Sequence, residues 1–208
     1  MHPLGYHHGI QNQIERFEEL LADLLEISRY DAGAVTPDLE LNDLNAVVGA
    51  ALASIEPLAK SMQTEIQVRL PATSVEAEFD AKRIERLLRN LLSNAVEHGE
   101  GNPIVVEVGS NAQAVAVCVT DRGVGMTKQQ LERIFDRFWR ADPARQRSVG
   151  GTGLGLAISK EDAILHRGWL QVWSKPNRGS SFRLTLPISA DSVISNSPLP
   201  LPPRTMEG

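Results

Sequence analysis

The spacing of apolar residues changes along the chain, and each change marks an element. Ile14, Phe17, Leu21 and Leu24 step by three and four, with Ser28 next in register and Leu20, Leu25 and Ile27 widening the stripe. This predicts an amphipathic helix that ends near Asp31-Ala32-Gly33. Such a stripe ahead of the main domain cannot be buried by its own residues and calls for a partner helix; packing against the chain's own domain is the plainer alternative. A short strand over 38–44 then leads to a helix N-cap at Asn42 or Asp43, and a helix over 44–62 carries Pro57 late in its course.

Residues 64–70 alternate as a half-buried strand, with 74–79 as its predicted hairpin partner. Asp80 caps a helix over 81–98 whose inner face holds Ile84, Leu87, Leu88, Leu91, Leu92 and Ala95. Strands over 104–108 and 114–120 flank a turn at 110–113. A short helix near 129–134, an apolar helix over 156–166, and strands over 169–174 and 181–186 complete the pattern. The predicted organisation is 1–12 unstructured or extraneous to the fold, one helix over 13–33, a main domain over 38–188 and a disordered proline-rich tail over 189–208.

Composition narrows the possibilities. A net charge of −5 leaves no basic footprint for nucleic acid. The single Cys118 lies in an apolar alternating run, so it reads as a small core residue with no intramolecular disulfide, which fits a reducing, cytoplasmic setting. No uncharged apolar run approaches the roughly 18 residues of a membrane span, so no membrane segment is expected in this chain.

Candidate chemistry centres on three places. Gly150-Gly151-Thr152-Gly153-Leu154-Gly155 runs into an apolar helix, an arrangement whose backbone can approach a phosphate; a flexible capped loop is the plainer reading. The preceding residues, 140–148, are polar and are not a strand, and no Gly-Lys-Ser/Thr follows, which excludes the dinucleotide and P-loop motifs. Asn90 and Asn94 share one helix face at the edge of the apolar stripe, where a side-chain amide oxygen suits Mg²⁺ or, more simply, binds a neighbouring loop. Asp121 ends a strand ahead of Gly123 and Gly125, placed to accept from the exocyclic amine of a base or to form an ordinary Asx turn.

In this order and on these elements, the three places resemble the nucleotide-binding domain of the histidine kinase, gyrase, Hsp90 and MutL superfamily. Asn90-Leu91-Leu92-Ser93-Asn94-Ala95 resembles the N box and Asp121-Arg122-Gly123-Val124-Gly125 the G1 box. Residues 135–140 resemble the F box and Gly151-Thr152-Gly153-Leu154-Gly155-Leu156 the G2 box. The superfamily's ATPases place a Glu general base four residues before the metal-binding Asn; here that position is Asn90, which cannot take a proton from water. The resemblance therefore implies a sensor histidine kinase, and the sequence over 138–153 together with the proline-rich tail at 197–200 is similar to one actinobacterial branch of these kinases.

The resemblance implies an α/β two-layer sandwich, the Bergerat ATP-binding fold, with a mixed sheet covered on one face by three helices and preceded by one amphipathic helix. It implies ATP and Mg²⁺ as cofactors, with Asn94 on the metal, Asn90 and Arg140 catalytic at the phosphates, and Asp121 with Gly123 and Gly125 at adenine. The backbone of Gly151, Thr152, Gly153, Leu154 and Gly155 would wrap the phosphates. Residues 13–33 would be the second helix of a dimerisation and phosphoacceptor hairpin, which brings an acceptor hairpin, a response regulator and homodimerisation through this helix as implied partners. Family members are membrane-anchored with this part in the cytoplasm. A GHKL-type ATPase and a non-catalytic nucleotide-binding fragment are the alternatives. The chain departs from the family at His7-His8-Gly9-Ile10, which lacks the acidic residue and the proline that should follow an acceptor His, and at Glu97, where many kinases carry a basic residue.

Overall fold

The computed structural model describes residues 4–141, 152–203 and Met206, with 4–12, 15 and 16 described as backbone only. Asp43 sets the start of the main domain. It closes strand β1 (Glu40–Asp43), and its carboxylate accepts from the Asn45 amide at 3.0 Å, capping helix α2 (Leu44–Ser61). The same carboxylate accepts from the Val75 amide at 3.1 Å, which draws strand β3 (Glu76–Phe79) alongside β1 as an antiparallel pair. The expected hairpin between 64–70 and 74–79 is therefore not formed. Strand β2 (Ile66–Arg69) runs parallel to strand β4 (Ile104–Ser110) instead, with Ile66 opposite Ile104.

Strand β4 pairs antiparallel with β5 (Ala114–Thr120), β5 with β7 (Gly179–Pro187), and β7 with β6 (Trp169–Lys175), giving a five-stranded sheet in the order β2-β4-β5-β7-β6. Val106, Val115, Val117, Val119, Leu184 and Leu186 point from one face of this sheet into the core. They meet the stripes of α2 and of α3 (Ala81–His98), the latter capped by Asp80 accepting from Arg83 N at 3.1 Å. Helix α5 (Gly155–Leu165) lies beside α3, and the short α4 (Lys128–Leu131) follows the end of β5. The expected two-layer α/β sandwich with a mixed, mostly antiparallel sheet is the architecture found.

Helix α1 spans Leu4–Asp31 and so begins within the stretch 1–12 that was expected to be unstructured or extraneous to the fold, ahead of the predicted start at 13. Its C-terminal half is anchored by packing, and extending a helix already nucleated costs far less than starting one. One face carries Leu20, Ile27 and Tyr30 against Leu154 and Ile158, the plainer of the two fates weighed for this helix. The other leaves Ile14, Phe17, Leu21, Leu24 and Leu25 between 40% and 66% exposed. The tail expected to be disordered is likewise ordered over the described part of 189–208. Its prolines lower the entropy lost on ordering, and Ile194 and Met206 find buried positions.

Candidate functional site

Helix α3 carries both asparagines along one line. Asn90 Nδ2 donates to Ser159 Oγ on α5 at 2.9 Å, and one turn earlier Arg86 donates to Asp162 at 2.7 Å. These two bonds lock α3 and α5 in register. Gly155 sits so close that a Cβ there would lie 2.5 Å from Asn90 Oδ1, so only glycine lets the start of α5 approach this amide. Asn90 therefore binds a helix and not a loop backbone. Asn94, half-buried one turn on, has no hydrogen-bond partner among the described residues. An amide oriented on a packed helix without a partner is suited to receive one.

Asp121 stands at the end of β5, only 4% exposed. Its Oδ1 accepts from the Gly123 amide at 2.8 Å and the Ser180 amide at 3.3 Å. The Asx turn is thus present. Burial pushes its carboxyl up to about 6, with the amide bonds from Gly123 and Ser180 acting against the rise. Gly123 is fixed by contact: a Cβ there would come within 1.7 Å of the His98 carbonyl oxygen, where the end of α3 abuts the turn. Gly125 lies similarly against the Lys175 carbonyl. The opposite wall is the 175–181 turn, whose Gly179 takes φ +87° and lies against the Asp121 carbonyl.

The glycine-rich segment is described from Thr152. Gly151 and the polar stretch 142–150 fall outside the described residues. Gly153 O accepts from Phe138 N at 2.9 Å, joining the F-box stretch to the start of α5. Leu154, at the N-cap of α5, offers no side-chain cap, so the first-turn amides of α5 are left to the backbone's surroundings. Its side chain is fully buried in the cluster with Ile27, so only its backbone can serve a ligand. Thr152 Oγ1 accepts from Leu154 N at 3.2 Å and donates to Asp23 of α1 at 2.7 Å. Half-buried Arg140 supplies positive charge near Glu97. Burial raises the Glu97 carboxyl, opposed by its bond from Ser93 Oγ at 3.2 Å and by Arg140.

The structure therefore brings Asn90, Gly155 and the start of α5 together, and separately Asp121, Gly123 and Gly125, with Asn94 and Glu97 on the helix that connects the two groups. Sequence reasoning missed Ser159, Ser180 and Gly179, which come from elements far away in the chain. It also missed a charge cluster where α1 meets the domain. Asp162, fully buried, accepts from Tyr30 Oη, from Arg83 at 3.2 Å and from Arg86; Arg83 and Arg86 also reach Glu26 at 2.6 and 3.3 Å. At its periphery Arg137 of the F-box stretch grips Asp31 through both terminal nitrogens, at 2.8 and 2.6 Å. Apolar spacing carries no information about such a cluster. Asp162→Ala would leave Arg86 with Glu26 alone and Arg83 with Glu26 and, at 3.5 Å, Asp80, and it is expected to lower unfolding free energy by about 3 kcal/mol in chemical denaturation.

Among the described residues, no group of three or more His, Cys, Asp or Glu could hold a metal, and no helix is long and apolar enough to cross a membrane. Any cation here would depend on an amide such as Asn94 and on oxygens brought by the ligand, the mode suited to Mg²⁺.

Comparison with known proteins agrees with this geometry. A family model described as histidine kinase-, DNA gyrase B-, and HSP90-like ATPase matches residues 79–190. The sensor histidine kinase MtrB of Mycolicibacterium paratuberculosis is 50% identical over 192 residues, covering 92% of this chain and 34% of that protein. The chain thus spans about a third of the length of this relative. Full-length ShkA in complex with AMPPNP superposes with a TM-score of 0.79 at 23% identity, covering 91% of this chain and 39% of that one. The Acinetobacter baumannii histidine kinase AdeS superposes with a TM-score of 0.74 at 23% identity, over 88% of this chain and 83% of that one.

Proposed function

The chain belongs to the histidine kinase-, DNA gyrase B-, and HSP90-like ATPase family, and from that premise we propose that it is the ATP-binding catalytic portion of a two-component sensor histidine kinase. The observation that carries the proposal is the pairing of an unpartnered Asn94 with Asn90, which is held against the start of α5 at a position where an ATPase of this family would need a proton acceptor. Asn90 donates to Ser159 and has no basic group to offer water, so the arrangement favours transfer to a protein acceptor over hydrolysis.

In this reading Asp121 accepts from the exocyclic amine of adenine, with Gly123 and Gly125 admitting the ring. The amides from Gly151 to Gly155 receive phosphate oxygens, and Thr152 and Leu154 contribute through backbone only. Asn90 fixes the start of α5 that carries these amides. Arg140 meets the γ-phosphate, where a guanidinium offsets charge developing in transfer. Asn94 would hold Mg²⁺ through its amide oxygen; bound there, the ion would neutralise phosphate charge. The acceptor is a histidine on a helical hairpin, and a response regulator receives the phosphoryl group next. The uncovered stripe Ile14, Phe17, Leu21 and Leu25 supports pairing of α1 with such a hairpin or with a second copy. ATP use places this portion on the cytoplasmic side of a membrane-anchored protein.

Titration with a fluorescent ATP analogue, with and without Mg²⁺, on the unaltered chain and on Asn94→Ala tests the reading. Mg²⁺ is expected to tighten binding to the unaltered chain, and Asn94→Ala to remove about tenfold of that gain, the scale of one interaction with a charged group. Equal binding in all four titrations would end it.

A further inference from the structure

The proline-rich segment after β7 lies on the sheet face opposite the helices. Ser195 Oγ donates to Gln113, and Asn111 Nδ2 donates to Asn196 Oδ1 at 3.0 Å, fixing the segment at the β4–β5 turn. Thr185 then bonds Ser197 at 2.9 Å, Arg183 donates to the Leu199 carbonyl, and Arg178 donates to the Met206 carbonyl at 3.4 Å. As the segment advances, its partners walk back along β7 towards Asp121. Leu199 fills the space over Gly109, where a Cβ would stand 2.8 Å from its Cδ2. The face beneath is dry: Ala114, Ala116, Cys118, Thr120, Ser181 and Thr185 are all at most 3% exposed.

The same strand ends build one wall of the site. Thr120 Oγ1 and Ser181 Oγ share a buried hydrogen bond at 2.8 Å, Asp121 N donates to Ser180 O at 2.9 Å, and Asn177 N donates to Val124 O at 2.8 Å. The 175–181 turn is thus held from within by Asp121 and Val124. From outside, the segment holds Arg178 in the turn itself and Arg183 two residues beyond it.

We propose that residues 194–203 together with Met206 act as a strap whose seating on the outer sheet face positions the 175–181 turn against Asp121, and so sets nucleotide affinity from the base end. The proposal rests on the ATP-binding reading above. A strap acting at the base end has a signature: its loss weakens ATP and ADP alike and leaves the gain from Mg²⁺, which belongs to the phosphate end, unchanged. A segment that only adds stability would lower the unfolding temperature and leave affinity untouched at temperatures where the protein is folded.

The test uses the unaltered chain, a truncation ending at Ser192, and Leu199→Asp in the full chain, which unseats the strap without shortening it. Fluorescent ATP and ADP analogues are titrated with and without Mg²⁺, and a thiol reagent reports exposure of Cys118 under native conditions. Both variants are expected to label at Cys118 at least about tenfold faster and to bind both nucleotides about five- to tenfold more weakly, the scale of one lost hydrogen bond. The Mg²⁺ gain is expected to stay constant. Faster Cys118 labelling with unchanged affinities overturns the proposal, as does labelling that remains slow once the strap is cut away. A truncation that does not fold leaves the decision to Leu199→Asp. An unaltered chain that binds neither nucleotide overturns the ATP-binding reading itself, and the strap proposal with it.

Discussion

Asp121→Asn is expected to weaken binding of a fluorescent ATP analogue about 10- to 100-fold while leaving the protein folded and, near pH 7.5, more stable than the unaltered chain. The affinity range follows from losing one hydrogen bond between a ligand amine and a charged acceptor, about 1.5–3 kcal/mol. An asparagine oriented to keep the bonds from Gly123 N and Ser180 N through Oδ1 must turn its NH₂ towards the base. A donor then faces the donor of adenine. Stability moves the other way because the carboxylate is costly where it sits. With its carboxyl raised from 3.8 to about 6 by burial, the ionised form is disfavoured by about 3 kcal/mol as an upper bound, and the neutral amide does not carry that cost. Thermal unfolding alongside the titration checks both halves. A variant that loses binding because it unfolds would refute the argument.

The same carboxyl gives a pH dependence with opposite signs for folding and binding. Its folded pKa lies above its unfolded value, so the folded protein holds the proton more tightly. Its contribution to stability is therefore present in full below about 4 and is lost as pH rises through about 6. Nucleotide affinity is expected to follow the ionised form and to fall as pH drops below about 6. In Asp121→Asn both inflections should vanish.

Local pattern revealed the elements, and tertiary chemistry chose their partners. The period-3.6 stripe of α3 and the alternation of β4 and β5 are properties of contiguous residues, so local pattern alone puts Asn90, Asn94 and Asp121 on the right elements. The pairing of β3 with β1 is supported by the Asp43 carboxylate accepting amides from both the first turn of α2 and Val75 just before β3, a long-range choice that alternation cannot encode. Ser159, Ser180 and Gly179 were invisible for the same reason: each matters only because a distant motif residue lies against it. Proline content suggested disorder for the tail, yet its apolar residues fit a sheet face that Gly109, Ala114 and Ala116 leave low and flat. Small residues on the outward side of β4 and β5 were the available signal.

γ-Phosphate radiolabel supplied as ATP is expected to stay off this chain incubated alone and to appear on a separate helical hairpin that carries an acceptor histidine. Transfer needs an imidazole nitrogen in line with the γ-phosphorus, roughly 3–3.5 Å away, and a carboxylate to orient the ring. The described histidines do not offer this. His166 is buried with Nε2 accepting from Asp80 N at 3.0 Å and Nδ1 bonded to the Asp162 carbonyl at 2.6 Å, so both ring nitrogens are committed to structure. His98 stands where α3 ends against the Asp121 turn, at the base end of the site. His7 and His8 are followed by glycine and isoleucine where an orienting carboxylate would be needed. The added hairpin supplies the nucleophile, and the exposed stripe of α1 is the surface on which it is expected to dock. Phe17→Asp with Leu21→Asp, at positions 60% and 44% exposed, should therefore reduce label on the hairpin while nucleotide affinity stays constant. Acid-labile label on His7 or His8 of the chain alone would show that the nucleophile lies within it, and undiminished transfer to the hairpin by the double variant would show that docking uses another face.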